Sequence, residues 1–320
     1  MLKSLEEEFS SLLQGRKPDN LYQPISYILM QPGKRLRPQL VHIVVDMFDG
    51  DPKQAQLVAM AFEMLHNFTL IHDDIMDEAP LRRGKETVYK KWNSNIAILS
   101  GDALAIMALQ QLLKLDCDSK IIVKIADIFA RTSLEICEGQ QYDLDFETRQ
   151  DVTIDEYINM IRLKTAVMFA GCLKAGGTLV SADEQSLQAL YDFGIHLGIA
   201  FQLADDVLDV YAETTVFGKT IGGDIKDNKK TYLYLKALEN ASDAQKMQLQ
   251  QLFSEPTTDF DSKYKTVRSL FDQLQVRQET EAQVVYYSQL ALQDLENVQV
   301  APEKKENLKA LAMKLINRDK

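Results

Sequence analysis

Two aspartate-rich motifs of the same form, Asp-Asp-x-x-Asp, stand in this chain of 320 residues. The first covers residues 73–77 and the second covers residues 205–209, and each follows an apolar stretch without Lys or Arg. On an α-helix, side chains four positions apart lie on one face with Cβ atoms about 6 Å apart, so each motif presents two carboxylates in one direction. A hard cation between them relieves their repulsion, and Mg²⁺ bound in this way keeps coordination sites for phosphate oxygens.

A single motif of this kind would fit a solvated acidic helix face equally well. Such a face normally carries interspersed Lys or Arg, and neither segment does. An EF-hand loop needs ligands at alternate positions, a central Gly and a closing Glu, and neither segment has them. We therefore predict that the two motifs are walls of one cavity that holds divalent cations and attracts diphosphates.

Basic residues gather at the turns next to both motifs. They follow Pro32 and Gly33, they follow Pro80, and they occur in the glycine-rich segment after the second motif. Arg side chains fork onto two phosphate oxygens and Lys side chains act as point charges, so both residue types hold phosphates. We predict anion-binding positions among Lys34, Arg35, Arg37, Arg82, Arg83, Lys219, Lys229 and Lys230.

The rest of the sequence predicts an all-α protein. With 46% hydrophobic residues, 14 Gly and 8 Pro, the chain can bury a large core with few interruptions. Apolar residues recur at intervals of three and four, as in residues 57–65 and 121–130, and strand patterns are scarce. We expect about ten or more helices in one large domain that covers residues 1–320.

Charge and cysteine content argue against several classes of protein. The formal net charge is −11, with 47 acidic residues against 36 Lys and Arg, which disfavours nonspecific nucleic-acid binding. The cysteines lack metal-ligand spacing and indicate a reducing compartment. The N-terminal segment is acidic rather than a signal peptide, and no stretch reaches about 18 uncharged apolar residues. We expect a cytoplasmic protein without a membrane span.

In its motifs, the chain resembles the trans-isoprenyl diphosphate synthases of the polyprenyl synthetase family. Family members carry G-K-R-x-R-P, D-D-x-x-D followed by R-R-G, G-Q-x-x-D, K-T, F-Q-x-x-D-D-x-x-D and G-K-x-x-x-x-D-x-x-x-x-K. Here these motifs occupy residues 33–38, 73–84, 139–143, 164–165, 201–209 and 218–229. The resemblance implies a single large helical bundle of the isoprenoid synthase type with a central active-site cavity.

The resemblance also implies roles for the matching residues at the two substrates. The diphosphate of isopentenyl diphosphate would be held by Lys34, Arg37, His66 and Arg83. Three Mg²⁺ ions would clamp the allylic diphosphate and would be bound by Asp73, Asp77, Asp205 and Asp209. The same diphosphate would also be contacted by Arg82, Lys164, Lys219 and Lys229.

The implied reaction is a head-to-tail (1′-4) condensation of isopentenyl diphosphate with an allylic diphosphate. The allylic C–O bond ionises, the double bond of isopentenyl diphosphate attacks the cation, and a proton is lost to the released diphosphate. Thr165 and Gln202 would present oxygen dipoles to the cation. Asp74 and Asp206 point elsewhere on their helices and would act indirectly. The residues leave open whether the primer is dimethylallyl, geranyl or farnesyl diphosphate.

Product length depends on residues that precede the first motif. Phe68, five positions before Asp73, lies about 7.5 Å deeper along the helix, and Thr69 lies on the Asp73 face. In the family, aromatics at both positions mark many farnesyl diphosphate synthases. One aromatic at the fifth position, with no insertion between the aspartates, resembles archaeal-type geranylgeranyl diphosphate synthases. We favour a C20 product, with C15 as the alternative.

Other classes of protein are less consistent with the sequence. A terpene cyclase would carry a second metal motif of the form N-D-x-x-S-x-x-x-E, which is missing here. A noncatalytic partner subunit of another synthase would usually have lost one aspartate motif. The family is typically homodimeric, and the apolar segment 96–113 could bury against a second copy. Residues 318–320 resemble the basic tail that covers the site in some relatives, or form a frayed end.

Overall fold

The computed structural model describes residues 4–212, 221–254 and 259–316. Within these ranges lie sixteen α-helices, one π-helical turn over Arg162–Ala166, and the strands β1 (Leu81–Arg82) and β2 (Lys85–Glu86). The helices are α1 (Leu5–Leu13), α2 (Asp19–Leu29), α3 (Leu36–Met47), α4 (Pro52–Met76), α5 (Val88–Lys91), α6 (Ser94–Leu112), α7 (Ser119–Thr148), α8 (Ile154–Ile161), α9 (Val167–Leu179), α10 (Glu184–Tyr211), α11 (Gly223–Lys226), α12 (Tyr232–Asn240), α13 (Asp243–Ser254), α14 (Phe260–Gln273), α15 (Val276–Glu296) and α16 (Pro302–Ile316).

The chain divides into two compact units. The first unit takes the described parts of Met1–Ser133, Gly171–Tyr191 and Asn297–Leu308. The second unit takes those of Leu134–Ala170, Asp192–Glu296 and Lys309–Lys320. A single domain over residues 1–320 stays a prediction.

The first unit is organised around α4. This helix begins at Asp51, whose side chain accepts a hydrogen bond from the Lys53 amide, and Pro52 occupies the first helical position. It packs mainly against α6 and α3. Its buried side chains include Phe62, whose ring lies 5.6 Å from that of Phe129 in an edge-on arrangement. Burial of a side chain of this size stabilises the fold by about 1.5–3 kcal/mol.

The second unit is organised around the C-terminal part of α10. Its core gathers side chains from α8, α10, α12 and α14, including Tyr157, Leu203, Leu233 and Phe271. The end of α10 is closed by two hydrogen bonds to carbonyl oxygens: the Tyr264 hydroxyl donates to Val210, and the Gly222 amide donates to Asp209. These contacts satisfy carbonyls that have no partner inside the helix.

The prediction of an all-α fold is confirmed, because β1 and β2 are the only strands within the described ranges and pair as one short antiparallel hairpin. Among the described residues, α6 is the one helix that is long and apolar enough to cross a membrane. Nearly half of its apolar window is buried inside the protein, as in the core helix of a globular unit.

Candidate active site

Both aspartate motifs lie at the C-terminal ends of long helices. Residues 73–77 form the last turn of the 25-residue helix α4, and residues 205–209 lie in the last two turns of the 28-residue helix α10. The helix macrodipole places partial negative charge at that end, so carboxylates there are electrostatically unfavourable unless a cation joins them. Each motif thus places its carboxylates at the negative end of a helix dipole.

Within the first motif, the three aspartates have different environments. Asp73 is half-buried and Asp77 is exposed, whereas Asp74 is fully buried. Asp74 Oδ1 accepts hydrogen bonds from Nε and Nη2 of Arg82, both at 2.7 Å. Burial raises the pKa of Asp74, and the Arg82 guanidinium opposes that shift. Asp74 therefore anchors Arg82, one of the cations predicted to contact the allylic diphosphate.

The predicted isopentenyl diphosphate residues lie close together in the first unit. Arg83 Nη1 donates to the Pro32 carbonyl at 3.1 Å, and its guanidinium fills the space that a side chain at Gly33 would need. Burial, and then the positive charges of Arg37 and Arg83, hold the pKa of His66 well below its usual range. His66 is therefore neutral near pH 7 and sits in a field of positive charge.

A buried ion pair secures the turn that carries Lys34. Arg35 Nη1 lies 2.7 Å from Glu63 Oε1, and the two side chains are 13% and 3% exposed. Arg35 Nη2 also donates to the carbonyls of Leu29 and Gln31 at 2.6 and 3.0 Å. Arg35 has φ +48°, in the left-handed region, immediately before α3 begins. The pair therefore fixes the backbone of this turn to the middle of α4.

Glu63 was not predicted as a functional residue, although a signal for it existed. It is the one charged side chain in the apolar run of residues 57–65. A charge is almost never fully buried unless it is paired, so its position on the buried face of a helix indicates a partner elsewhere in the chain.

In the second unit, the second motif repeats the division between half-buried and buried aspartates. Asp205 and Asp209 are half-buried, and Asp206 is buried. Asp209 Oδ2 accepts a hydrogen bond from the Asp224 amide at 3.0 Å, which holds the start of α11 against the end of α10. Asp206 accepts hydrogen bonds from the Tyr157 hydroxyl and, at 3.1 Å, from Gln202 Nε2. Burial and then the charge of Asp224 raise the pKa of Asp206 well above its usual range.

A pocket of about 110 Å³ lies next to these residues in the second unit. Five residues predicted from the sequence to contact a ligand line it, namely Lys164, Thr165, Gln202, Lys229 and Lys230. Thr165 Oγ1 donates to Gln202 Oε1 at 3.1 Å, and Lys164 Nζ donates to Asp143 Oδ2 at 2.5 Å. The pocket thus collects three lysines, two neutral oxygen dipoles and four carboxyl groups within one unit.

Two further residues at this pocket, Asp143 and Tyr157, were not assigned a role from the sequence, whereas Lys230 was predicted as an anion-binding position. Asp143 belongs to the G-Q-x-x-D motif; burial alone would raise its pKa, but the ammonium groups of Lys164 and Lys229 lower it below the usual value. Lys230 is buried and donates to the carbonyls of Phe146 and Glu147 at the end of α7, at 2.6 and 3.0 Å. Tyr157, the partner of Asp206, gives no signal in the sequence beyond its place in an apolar helix.

The described residues account for most of the predicted site. The first unit holds Lys34, Arg37, His66, Phe68, Thr69, Asp73, Asp77, Arg82 and Arg83. The second unit holds Lys164, Thr165, Gln202, Asp205, Asp209 and Lys229. Lys219 and residues 318–320 lie outside the described residues.

The donor set at both motifs fits Mg²⁺. Within residues 4–212, 221–254 and 259–316, no group of three or more His, Cys, Asp or Glu side chains is arranged to hold a metal alone. The motifs offer pairs of carboxylates instead, and Mg²⁺ is typically bound by one or two carboxylates together with waters and phosphate oxygens. Asp73, Asp77, Asp205 and Asp209 would hold it, because Asp74 and Asp206 are committed to buried hydrogen bonds.

An all-α chain whose long helices end in carboxylate pairs, with Lys and Arg side chains on adjacent segments, has the architecture of a prenyltransferase. The family profile described as polyprenyl synthetase matches residues 18–270. The chain belongs to this family, and the prediction that it is a prenyltransferase is confirmed. Prenyl synthases of this family generally use Mg²⁺.

Individual relatives agree with this assignment. The chain is 39% identical over 235 residues to a geranylgeranyl diphosphate synthase of Methanosarcina mazei, covering 73% of this chain and 72% of the relative. It is 35% identical over 317 residues to a geranylgeranyl pyrophosphate synthase of Geoglobus acetivorans, covering 99% and 97%. A crystal structure of a geranylgeranyl pyrophosphate synthase superposes with TM-score 0.93 at 43% identity, with both chains covered completely.

The buried ion pair gives a first prediction. Glu63→Gln removes the buried charge that pairs with Arg35 and leaves, among the described residues, only the exposed Glu6 as an acidic partner, whose Oε1 lies 3.4 Å from Arg35 Nε. We expect the free energy of unfolding to fall by about 3 kcal/mol in chemical denaturation. Arg131→Gln is the matched control, because its i,i+4 pair with Asp127 is exposed and such pairs contribute about 0.3–0.5 kcal/mol. Equal destabilisation by the two substitutions would contradict a clamp at Arg35.

Proposed function

We propose that this prenyltransferase makes geranylgeranyl diphosphate by adding isopentenyl diphosphate to an allylic diphosphate. The observation that carries the proposal is the pair of aspartate motifs at helix C-termini, each with cationic side chains on adjacent segments. The relatives named as geranylgeranyl diphosphate synthases support the C20 product favoured from the sequence. A C15 product, as in a farnesyl diphosphate synthase, is the alternative.

The site is proposed to act first on the leaving group. Bound Mg²⁺, about three ions as in the family pattern, would stabilise the negative charge that grows on the diphosphate as the allylic C–O bond breaks. Arg82, Lys164, Lys219 and Lys229 are assigned to the same diphosphate. The hydrogen bonds of Arg82 to Asp74 and of Lys164 to Asp143 support this, because they orient both cations before substrate arrives.

Isopentenyl diphosphate is assigned to the basic turn of the first unit. Lys34, Arg37 and Arg83 would bind its diphosphate, with His66 as a neutral hydrogen-bonding partner. Neutrality suits this role because a further positive charge beside these cations would be unfavourable. A neutral imidazole N–H can still donate a hydrogen bond to the diphosphate.

The hydrogen-bond directions in the second unit suit a carbocation intermediate. The Thr165 hydroxyl gives its single hydrogen to Gln202, and the Gln202 amide gives a hydrogen to Asp206. The Thr165 oxygen is therefore left with its lone pairs for a neighbouring positive charge. A new C–C bond forms when the double bond of isopentenyl diphosphate attacks, and the proton then lost is taken by the released diphosphate. No side-chain base is needed.

Phe68 is proposed to limit chain length, with Thr69 beside it. Phe68 is half-buried, unlike the core residues Phe62 and Leu65 on the same helix, and its ring lies edge-on to His72 with centroids 4.8 Å apart. The Thr69 hydroxyl donates to the His66 carbonyl, so this small side chain turns back onto its own helix.

The assembly is proposed to be a homodimer that forms through α6, in the cytoplasm. Leu99, Ile106 and Leu113 on this helix and its C-terminal cap are 60%, 62% and 64% exposed. They stand seven positions apart and so form one apolar row along a helix whose other side packs on α4 and α2. A second copy of the same row is the occupant that would bury it.

The enzymatic proposal is tested with purified protein, labelled isopentenyl diphosphate and each of the three allylic primers. We expect a C20 alcohol after dephosphorylation of the product, and loss of turnover when Mg²⁺ is removed by a chelator. A C15 alcohol would support the same condensation reaction, with farnesyl diphosphate as the product in place of geranylgeranyl diphosphate. Absence of product from every primer with Mg²⁺ present would leave the noncatalytic-subunit alternative.

Product length is tested with Phe68→Ala. Removal of the ring deepens the space before the first motif, so we expect products longer than those of the wild type in the same chromatographic assay. Tyr286→Ala, which truncates an exposed aromatic side chain on α15, is the control and should leave the products unchanged. An unaltered product distribution in Phe68→Ala would show that another residue sets the length.

The dimer is tested with Ile106→Asp and light scattering after size-exclusion chromatography. We expect the wild type at twice the mass of the chain and the variant at the mass of one chain, because a carboxylate would be buried without a partner. Val285→Asp is the control at an exposed apolar position on α15. A wild-type monomer, or a dimeric Ile106→Asp, would refute the α6 interface.

A further inference from the structure

The π-turn over Arg162–Ala166 carries two of the predicted active-site residues. It interrupts the helical path between α8 and α9, and the Val167 amide closes it on the Arg162 carbonyl, five residues back. Lys164 and Thr165 are adjacent within it, and both line the pocket of the second unit. π-turns are rare, and they occur frequently at functional sites.

Two glycines on other helices contact the backbone of this turn. A Cβ atom at Gly139 on α7 would lie 2.3 Å from the Lys164 amide nitrogen and 2.7 Å from the Leu163 carbonyl carbon. A Cβ atom at Gly198 on α10 would lie 2.4 Å from the Ala166 Cα and 2.6 Å from its Cβ. Real Cβ atoms do not approach this closely, so any other residue at either position would displace the turn.

Each glycine stands one helical turn before a polar residue that binds the π-turn. Gly139 precedes Asp143 by four positions, and Asp143 accepts from Lys164 Nζ at 2.5 Å. Gly198 precedes Gln202 by four positions, and Gln202 accepts from Thr165 Oγ1 at 3.1 Å. Residues four apart share a helix face, so each helix offers one close backbone contact and one hydrogen bond.

Both glycines lower the stability of their own helices, so their presence needs a structural reason. Glycine is less favourable than alanine in the middle of a helix, where both lie. At both positions the absence of a side chain makes room for main-chain atoms of the π-turn. These atoms cannot move aside as the end of a flexible side chain can. This distinguishes them from Gly177, where the nearest atom is the end of the Leu187 side chain, at 2.9 Å.

We propose that Gly139 and Gly198 are positioning residues that hold the π-turn in register, so that Lys164 and Thr165 reach the pocket together. They touch no substrate themselves. The inference rests on the proposed function for its catalytic consequence, since Lys164 is assigned to the departing diphosphate and Thr165 to the cation. Displacement of the turn by an added methyl group would misplace both side chains at once.

The test compares Gly139→Ala and Gly198→Ala with Gly176→Ala. Gly176 also lies within a helix, α9, but a Cβ there would come no closer than 3.3 Å to another atom. For the two positioning variants we expect kcat to fall by about 100-fold, the order of loss that misplacement by 1 Å can cause. We expect the KM for isopentenyl diphosphate to stay within about twofold, because the turn carries none of its predicted ligands.

Amide hydrogen exchange over residues 160–168 provides a readout that does not depend on turnover. We expect faster exchange in the two positioning variants and wild-type exchange in Gly176→Ala, each measured below its unfolding midpoint. Wild-type kcat with unchanged exchange in both positioning variants would overturn the proposal, as would equal losses in Gly176→Ala. An inactive wild type would overturn the proposed function instead, and hydrogen exchange would then decide the role of the glycines.

Ala166→Gly covers the case in which the larger substitutions prevent folding. It removes the methyl group that faces Gly198 and relaxes the same contact without adding an atom. We expect a smaller fall in kcat and faster exchange over residues 160–168, with an unchanged KM for isopentenyl diphosphate. Wild-type values for both kcat and exchange in this variant would overturn the proposal.

Discussion

Repulsion among carboxylates at the negative ends of two long helices is the constraint on which the site depends. α4 and α10 each concentrate three aspartates where the helix dipole already disfavours negative charge. The protein offsets this partly with its own groups: Arg82 binds Asp74, and the Asp224 amide binds Asp209. In the proposed mechanism, divalent cations would offset further carboxylate charge and would bind the diphosphate oxygens at the same time.

Burial separates the aspartates of each motif into two roles. Asp74 and Asp206 lie on the buried side of their helices, where an unpaired charge would be costly. Arg82 pairs with Asp74 Oδ1 and the Tyr157 hydroxyl donates to Asp206, while Asp74 Oδ2 has no hydrogen-bond partner among the described residues. Both buried aspartates contact predicted site residues, since Arg82 is a predicted diphosphate ligand and Gln202, which donates to Asp206, is predicted to face the cation. The aspartates that are less buried, Asp73, Asp77, Asp205 and Asp209, are the ones predicted to bind metal.

Local patterns predicted the all-α fold and supplied the candidate site residues, but they did not predict the contacts that position those residues. The aspartate spacing and the basic turns can be recognised within a few consecutive residues. The helical periodicity of α4 is likewise visible in one continuous segment. The Arg35–Glu63 pair joins residues 28 positions apart, and Tyr157 reaches Asp206 across 49. The π-turn gives no signal in its own residues either, and the helices that contact its backbone, α7 and α10, are separated from it in sequence.

The exposed row on α6 has a geometric consequence for any helix that packs along it. Leu99, Ile106 and Leu113 repeat every seven residues, whereas a straight α-helix completes two turns in slightly more than seven. The row therefore drifts around the helix by about 20° per repeat, as a gentle left-handed slant. A partner helix that follows the row must cross α6 at a shallow angle of about 20°, with side chains interlocking as in a coiled coil.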